Sequence, residues 1–233
     1  MTLTTPIAAQ LARVRERIAA AAARAGRDPA SITLVGATKT VEPARIRAAI
    51  EAGLRDFGEN YVQEAKAKLA VPELRAPGVR WHLIGHLQTN KAKTAVELFD
   101  IIQTLDSVRL GAVLARHVPP ARRLEVLLEV DYTGAPERTG LQPEAVFATV
   151  EQLLGLPALE LAGLMTVPAL GLSEAETRAT FRRLRALRDE LCRRYPEGAW
   201  RHLSMGMTDD FEWAIEEGAT IVRIGRAIFG PRP

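Results

Sequence analysis

The chain holds one cysteine, Cys192, among its 233 residues. An internal disulfide is therefore excluded, and the composition suits a reducing compartment. No apolar run approaches the ~20 residues that a membrane-spanning helix needs. The first residues lack the apolar centre of a secretory signal. They are rich in Arg and Ala, as transit peptides are. However, Ile7, Leu11, Val14 and Ile18 keep one helical face apolar, and Glu16 interrupts the basic residues. Residues 4–25 are expected to form a folded helix closed by Gly26, and the cytoplasm is the expected location. Excess charge of one sign is also missing. The formal net charge is +3, which gives no reason to expect a nucleic-acid partner. The one basic stretch, 178–194, carries Phe181, Leu184, Leu187 and Leu191 at helical spacing, so its arginines read as the solvated face of an amphipathic helix. No G-x-G-x-x-G follows the first apolar run, and there is no P-loop or nucleophile elbow. His82 and His86 lie four apart on an expected strand with no third ligand at metal spacing, which argues against a metal centre.

What is present is alternation. Hydrophobic residues make up 47% and charged residues 25%, ordinary for a globular chain long enough for one large α/β domain or two small ones. Short apolar runs alternate with helical segments throughout. The expected strands are 32–39, 56–60, 81–86, 100–105, 124–131, 159–167, 202–207 and 220–225, each followed by an expected helix. Pro43 suits a first helical turn, and Asp106 or Ser107 can cap the helix after the fourth strand. Asp209, with Glu212 three residues on, can cap the helix after the seventh. Eight such units without a long linker predict a single (β/α)8 barrel of the TIM type over residues 1–233, with an extra N-terminal helix. A doubly wound open sheet shares the alternation and is the alternative. In a barrel, the active face is built at the C-terminal strand ends, and phosphate is commonly held after strands seven and eight.

Those ends collect the unusual residues. The stretch ITLVGATKT delivers Lys39 at the end of an apolar strand, where period two places it on the face of Val35 and Ala37. Lysine is rarely buried. Either it snorkels into solvent from the strand end, or an apolar wall frees its amine for Schiff-base chemistry. Arg223 raises the same problem on the last strand. It is either one half of a buried ion pair, with Glu59 or Asp131, or a donor aimed at a ligand. Asn60, His86, Met165 and Thr166 share the same face. The glycine turns at Gly206 and Gly225, each opening a helix, offer backbone N–H groups to an anion, partly countered by Asp209 and Asp210.

Seven motifs together resemble the pyridoxal 5′-phosphate homeostasis proteins. They are ATKT around Lys39, FGENYVQE at 57–64, WHLIGHLQTNK at 81–91, RTGL at 138–141, GLMTVPA at 163–169, LSMGMTDDFEWAIEEG at 203–218 and VRIGRAIFG at 222–230. The resemblance spans nearly the whole chain and implies a barrel similar to the N-terminal domain of alanine racemase. It further implies that Lys39 forms the internal aldimine with pyridoxal 5′-phosphate and that Arg223 faces the pyridine nitrogen. Ser204, Met205, Gly225 and Arg226 would hold the phosphate, with Asn60 and Met165 completing the cofactor site. Thr38 stands where the family often has serine, and Arg226 where many members have threonine.

Two functions remain open on this reading. A racemase needs a base on each face of the substrate carbon and an electron sink, and an arginine at the ring nitrogen makes a weak sink. The racemases it resembles take their second base from a further domain, which is not found in these 233 residues. The expectation is therefore a monomeric carrier that buffers pyridoxal phosphate and delivers it to apo-enzymes, rather than an enzyme. The alternative is an amino-acid racemase using the same lysine. A cofactor-free aldolase would explain the lysine but not the phosphate turns with Arg223.

Overall fold

The computed structural model describes residues 4–231. Its eight strands are β1 (Thr33–Ala37), β2 (Asp56–Glu59), β3 (Arg80–Leu83), β4 (Ile101–Leu105), β5 (Leu124–Glu129), β6 (Leu159–Met165), β7 (His202–Ser204) and β8 (Ile221–Ile224). They run parallel and close into a barrel in sequence order, β8 pairing with β1 through Val35 opposite Arg223. A helix follows each strand: α2 (Pro43–Glu51), α3 (Val62–Lys68), α4 (Ala92–Leu98), α5 (Val108–Ala115), α6 (Val146–Leu153), α7 (Glu174–Arg194), α8 (Phe211–Glu216) and α9 (Arg226–Phe229). The barrel and the extra helix α1 (Thr4–Arg24) before it are as expected from the alternation. Among the described residues, no helix is long and apolar enough to cross a membrane.

The apolar residues divide into two layers. The larger lies between the sheet and its helices and includes Phe57, Leu83, Leu128, Leu164 and Leu203. The smaller, Val35, Leu127, Ala162, Met165 and Ile221, fills part of the barrel interior. The rest of that interior is polar. Helix α1 buries Ile7, Leu11, Val14 and Ile18, the face its spacing predicts. It ends in a Schellman turn: Gly26 has φ +64°, and the Arg27 N–H reaches the Ala22 carbonyl at 2.9 Å. Helix α7 starts on a capping box of Ser173 and Glu176. Several of its arginines are neutralised at the surface, Arg178 by Glu174, Glu216 and Glu217, and Arg182 by Glu217.

Three local expectations need correction. Several strands end earlier than their sequence runs suggest, β1 at Ala37 instead of Lys39 and β7 at Ser204 instead of Met207. Past those points the chains turn toward their helices and leave the ladder. The cap of α8 is Asp210, not Asp209, and its carboxylate accepts the Met207 N–H at 2.6 Å. Asp209 pairs instead with Arg226, and Glu212 with Arg17 of α1. The last helix stops at Phe229, short of the expected chain end, whose residues 232–233 lie outside the described part.

Candidate functional site

Lys39 sits in the turn after β1, half-buried, with its Nζ 3.3 Å from the Tyr61 hydroxyl and 5.0 Å from that ring's centroid. It therefore does not belong to the strand face shared by Val35 and Ala37. The turn is clamped on both sides of Lys39. Thr38 is fully buried, and its hydroxyl donates to Glu59 Oε1 at 2.6 Å. Lys68 Nζ donates to the Thr38 carbonyl at 2.6 Å, and the Thr40 N–H donates to Glu64 Oε1 at 2.6 Å.

Arg223 occupies the barrel interior at 4% exposure. Its Nη1 donates to Ser204 Oγ at 2.5 Å and its Nη2 to the Thr166 carbonyl at 2.9 Å. Neither expected ion-pair partner is there. Glu59 lies with Lys68 under the β1 turn, and Asp131 caps the loop at Thr133 and Gly134. Among the described residues no carboxylate forms a salt bridge with Arg223. Glu129 and Asp210 act on it only at longer range, and burial pulls the guanidinium down to about 10, which leaves it charged at neutral pH. Burial in turn pushes the Glu129 and Asp210 carboxyls up. Of the five N–H donors of an arginine, Ser204 and Thr166 take two. A buried cation so arranged is costly unless something else accepts from it.

Behind Arg223 runs a directional chain of hydrogen bonds through the barrel. Ser204 Oγ donates to Gln103 Oε1 at 2.6 Å, and Gln103 Nε2 lies 2.8 Å from His82 Nδ1. His82 Nε2 lies 3.0 Å from Asp56 Oδ1, and Asp56 is met by Arg80 at the opposite mouth. With Arg223 donating at one end, each group can donate to the next, and His82 carries its proton on Nε2 toward Asp56. Sequence reading missed Gln103, whose only signal is one amide side chain inside the apolar run of β4.

The remaining expected residues are distributed differently. Met165 is 1% exposed and packs in the interior cluster with Val35. Met205 is buried in the outer layer, and its N–H is bonded to the Ile221 carbonyl at 3.1 Å. Ser204 Oγ already donates to Gln103, so neither it nor the Met205 amide offers a proton to an anion. Gly225 is half-buried and opens α9. The Arg226 side chain is 58% exposed and paired with Asp209, which ties the turn after β7 to the turn after β8. Thr208, in the first of these turns, has a hydroxyl without a partner among the described residues. Asn60 borders a cavity of about 410 Å³ that Tyr61, Gly85, His86, Gln88 and Lys91 also line. His86 is paired with Asp106 at 3.3 Å and His82 faces inward, so the two histidines do not converge.

A primary amine, a buried guanidinium with unused donors and two linked helix-opening turns at one mouth fit a phosphorylated aldehyde with a hydrogen-bond acceptor in its ring. Comparison with known proteins points the same way. The family model "Alanine racemase, N-terminal domain" matches residues 9–233. The pyridoxal phosphate homeostasis protein of Aquifex aeolicus is 44% identical over 224 residues, covering 96% of this chain and 97% of that one. Its counterpart in Pseudomonas aeruginosa is 43% identical over 227 residues, covering 97% and 96%. The structure of PipY from Synechococcus elongatus PCC7942 with PLP bound superposes with a TM-score of 0.84 at 39% identity, covering 96% of this chain and all of that one.

Proposed function

The chain belongs to the alanine racemase N-terminal domain family and, within it, to the pyridoxal phosphate homeostasis proteins, and from that premise we propose that it binds pyridoxal 5′-phosphate and serves its homeostasis by holding and delivering it. The observation that carries this reading is Arg223, a buried cation without a salt bridge among the described residues, on the strand beside the one that leads to Lys39. When bound, pyridoxal 5′-phosphate supplies an aldehyde that condenses with a primary amine and releases water. Lys39 is the amine this mouth offers, and its half-buried position would keep water within reach of a group it holds. Arg223 would hold the ring by donating to its nitrogen, the guanidinium staying charged at neutral pH. Met165 forms an apolar floor beside Val35, and Asn60 would lie near the ring. The first-turn N–H groups after Gly225 and the Thr208 hydroxyl would hold the phosphate. Arg226 adds a cation already shared with Asp209. Ser204 serves this site through Arg223, and Met205 through the backbone of the turn.

The protein acts on this reading as a single-domain monomer over residues 1–233, in the cytoplasm, passing its cofactor to apo-enzymes that require it. An amino-acid racemase is the second reading, favoured by the Tyr61 hydroxyl beside Lys39. Against it, a group bonded to Lys39 lies on the lysine's own side, whereas racemisation needs bases on opposite faces.

Purified protein incubated with pyridoxal 5′-phosphate should turn yellow, and borohydride should fix the cofactor on Lys39, as read by peptide mass. Protein that stays colourless, or a Lys39→Ala variant labelled as well as the parent, would overturn the assignment. Exchange of the α-hydrogen of free amino acids for deuterium, abolished by Lys39→Ala, would favour the racemase.

A further inference from the structure

Lys68 lies outside every motif discussed so far, yet it is among the most unusual side chains in the fold. Its side chain is 8% exposed, and its ammonium group donates to three acceptors: Glu59 Oε1 at 2.6 Å, Glu64 Oε1 at 2.7 Å and the Thr38 carbonyl at 2.6 Å. Each carboxylate oxygen it meets has a second partner in the turn after β1. Glu59 Oε1 accepts from the Thr38 hydroxyl, and Glu64 Oε1 accepts from the Thr40 N–H. The residues on both sides of Lys39 are thus held by one triad, Lys68 and Glu59 buried and Glu64 partly exposed, through side chain and main chain together.

The backbone shows why such a clamp is needed. Thr40 has φ +62°, a left-handed conformation that a β-branched residue adopts at a cost. That twist turns the chain off β1 immediately after Lys39. A buried ammonium between two carboxylates is itself a poor source of stability compared with apolar packing. Its expense makes sense where geometry has to be set rather than stability gained.

We propose that Lys68, with Glu59 and Glu64, is a positioning device that holds the Lys39 amine in line for attack on a bound aldehyde. Lys68 touches neither the amine nor the ligand site, and it acts only through the main chain of residues 38–40. The inference rests on the reading of Lys39 as the cofactor's attachment point. The bond concerned is the C=N bond formed between Lys39 and the aldehyde carbon, with the oxygen leaving as water. The clamp adds no proton to that balance. It limits the orientations the amine samples, a contribution that depends steeply on small displacements.

The test separates covalent capture from simple binding. Full-length parent, Glu64→Ala, Glu64→Gln and Lys68→Met proteins are mixed with pyridoxal 5′-phosphate and quenched with borohydride over time, and label on Lys39 is measured by peptide mass. In parallel, affinity is measured for pyridoxine 5′-phosphate, which has an alcohol in place of the aldehyde and cannot be captured. Capture at Lys39 should slow by on the order of 10- to 100-fold in Glu64→Ala and Lys68→Met. Affinity for the alcohol should stay within about twofold, as for a change outside the contact surface. Glu64→Gln keeps an acceptor for the Thr40 N–H and should recover most of the rate. Capture at the parental rate in Glu64→Ala and Lys68→Met overturns the proposal, as does an equal loss of capture and of alcohol binding. Glu64 is partly exposed, so its variants decide the matter even if Lys68→Met does not fold. A parent protein that neither captures the aldehyde nor binds the alcohol overturns the cofactor assignment itself, and the proposal with it.

Discussion

Arg223 and Ser204 meet inside the barrel at 2.5 Å, and the serine passes the interaction on to Gln103 on the far side of the sheet. Two strands that do not neighbour each other, β4 and β7, are thereby joined behind the group assigned to the cofactor's ring. Replacing Ser204 with alanine leaves a buried guanidinium N–H and a buried amide oxygen without partners. The loss should be about 1–3 kcal/mol of folding stability, read by denaturant unfolding. The absorbance of the bound cofactor should shift as Arg223 relaxes. A variant as stable as the parent with an unchanged spectrum would mean that the serine does not orient the arginine.

Arg223→Met should separate stability from binding. The substitution removes a buried cation that no carboxylate among the described residues neutralises by direct contact. Ligand-free stability should therefore change by less than about 1–2 kcal/mol in either direction. Stabilisation by added cofactor, measured as the shift in thermal midpoint, should be mostly lost. A full shift in the variant would remove Arg223 from the binding site.

Asp56 predicts an acid limb. Its burial opposes ionisation, but the hydrogen bonds from His82 and Arg80, with the charge of Arg80, outweigh that and hold the carboxyl below its ordinary value of 3.8. The stability this contributes is fully present above the unfolded value and is lost as pH falls through the lower, folded one. Asp56→Asn should cost about 1 kcal/mol at neutral pH and lose part of the decline in stability below pH ~4. Urea midpoints from neutral to acid pH measure both, and parallel curves for parent and variant would contradict the assignment.

Arg226→Ala should have a small effect. Its charge is exposed and already balanced by Asp209, and exposed pairs contribute only ~0.2–1 kcal/mol. Retention of the cofactor, followed by dialysis, should fall by less than about fivefold. A much larger loss would show that the side chain leaves Asp209 to hold the phosphate.

Much of the architecture was legible because burial imposes periodicity. Parallel strands covered on both faces read as short apolar runs such as those of β4 and β5. The 3.6-residue pattern of α1 and α7 identified their buried faces. Lys39 and Arg223 were legible for the opposite reason, as cationic side chains at the ends of apolar runs, where they demand an explanation. Their partners were not. Glu59 and Asp131 were reasonable counterions for Arg223 by composition, but alternation along β2 and the turn after it sends Glu59 to Lys68 instead. The strand ends were also set too late, because a buried residue that suits a strand, Thr38 or Met205, follows the point where each strand ends.

The sequence by itself determined the alternation, pointed to the barrel and the family, and singled out Lys39 and Arg223 as cations at the ends of apolar runs, because each leaves a local mark in pattern or motif. Only the tertiary structure decided who holds them. Gln103 and Ser204 lie about a hundred residues apart, and Lys68 is separated by a whole strand and helix from the turn it grips. Such pairings depend on which side chains a closed, twisted sheet points at one another. No local property of the chain encodes that.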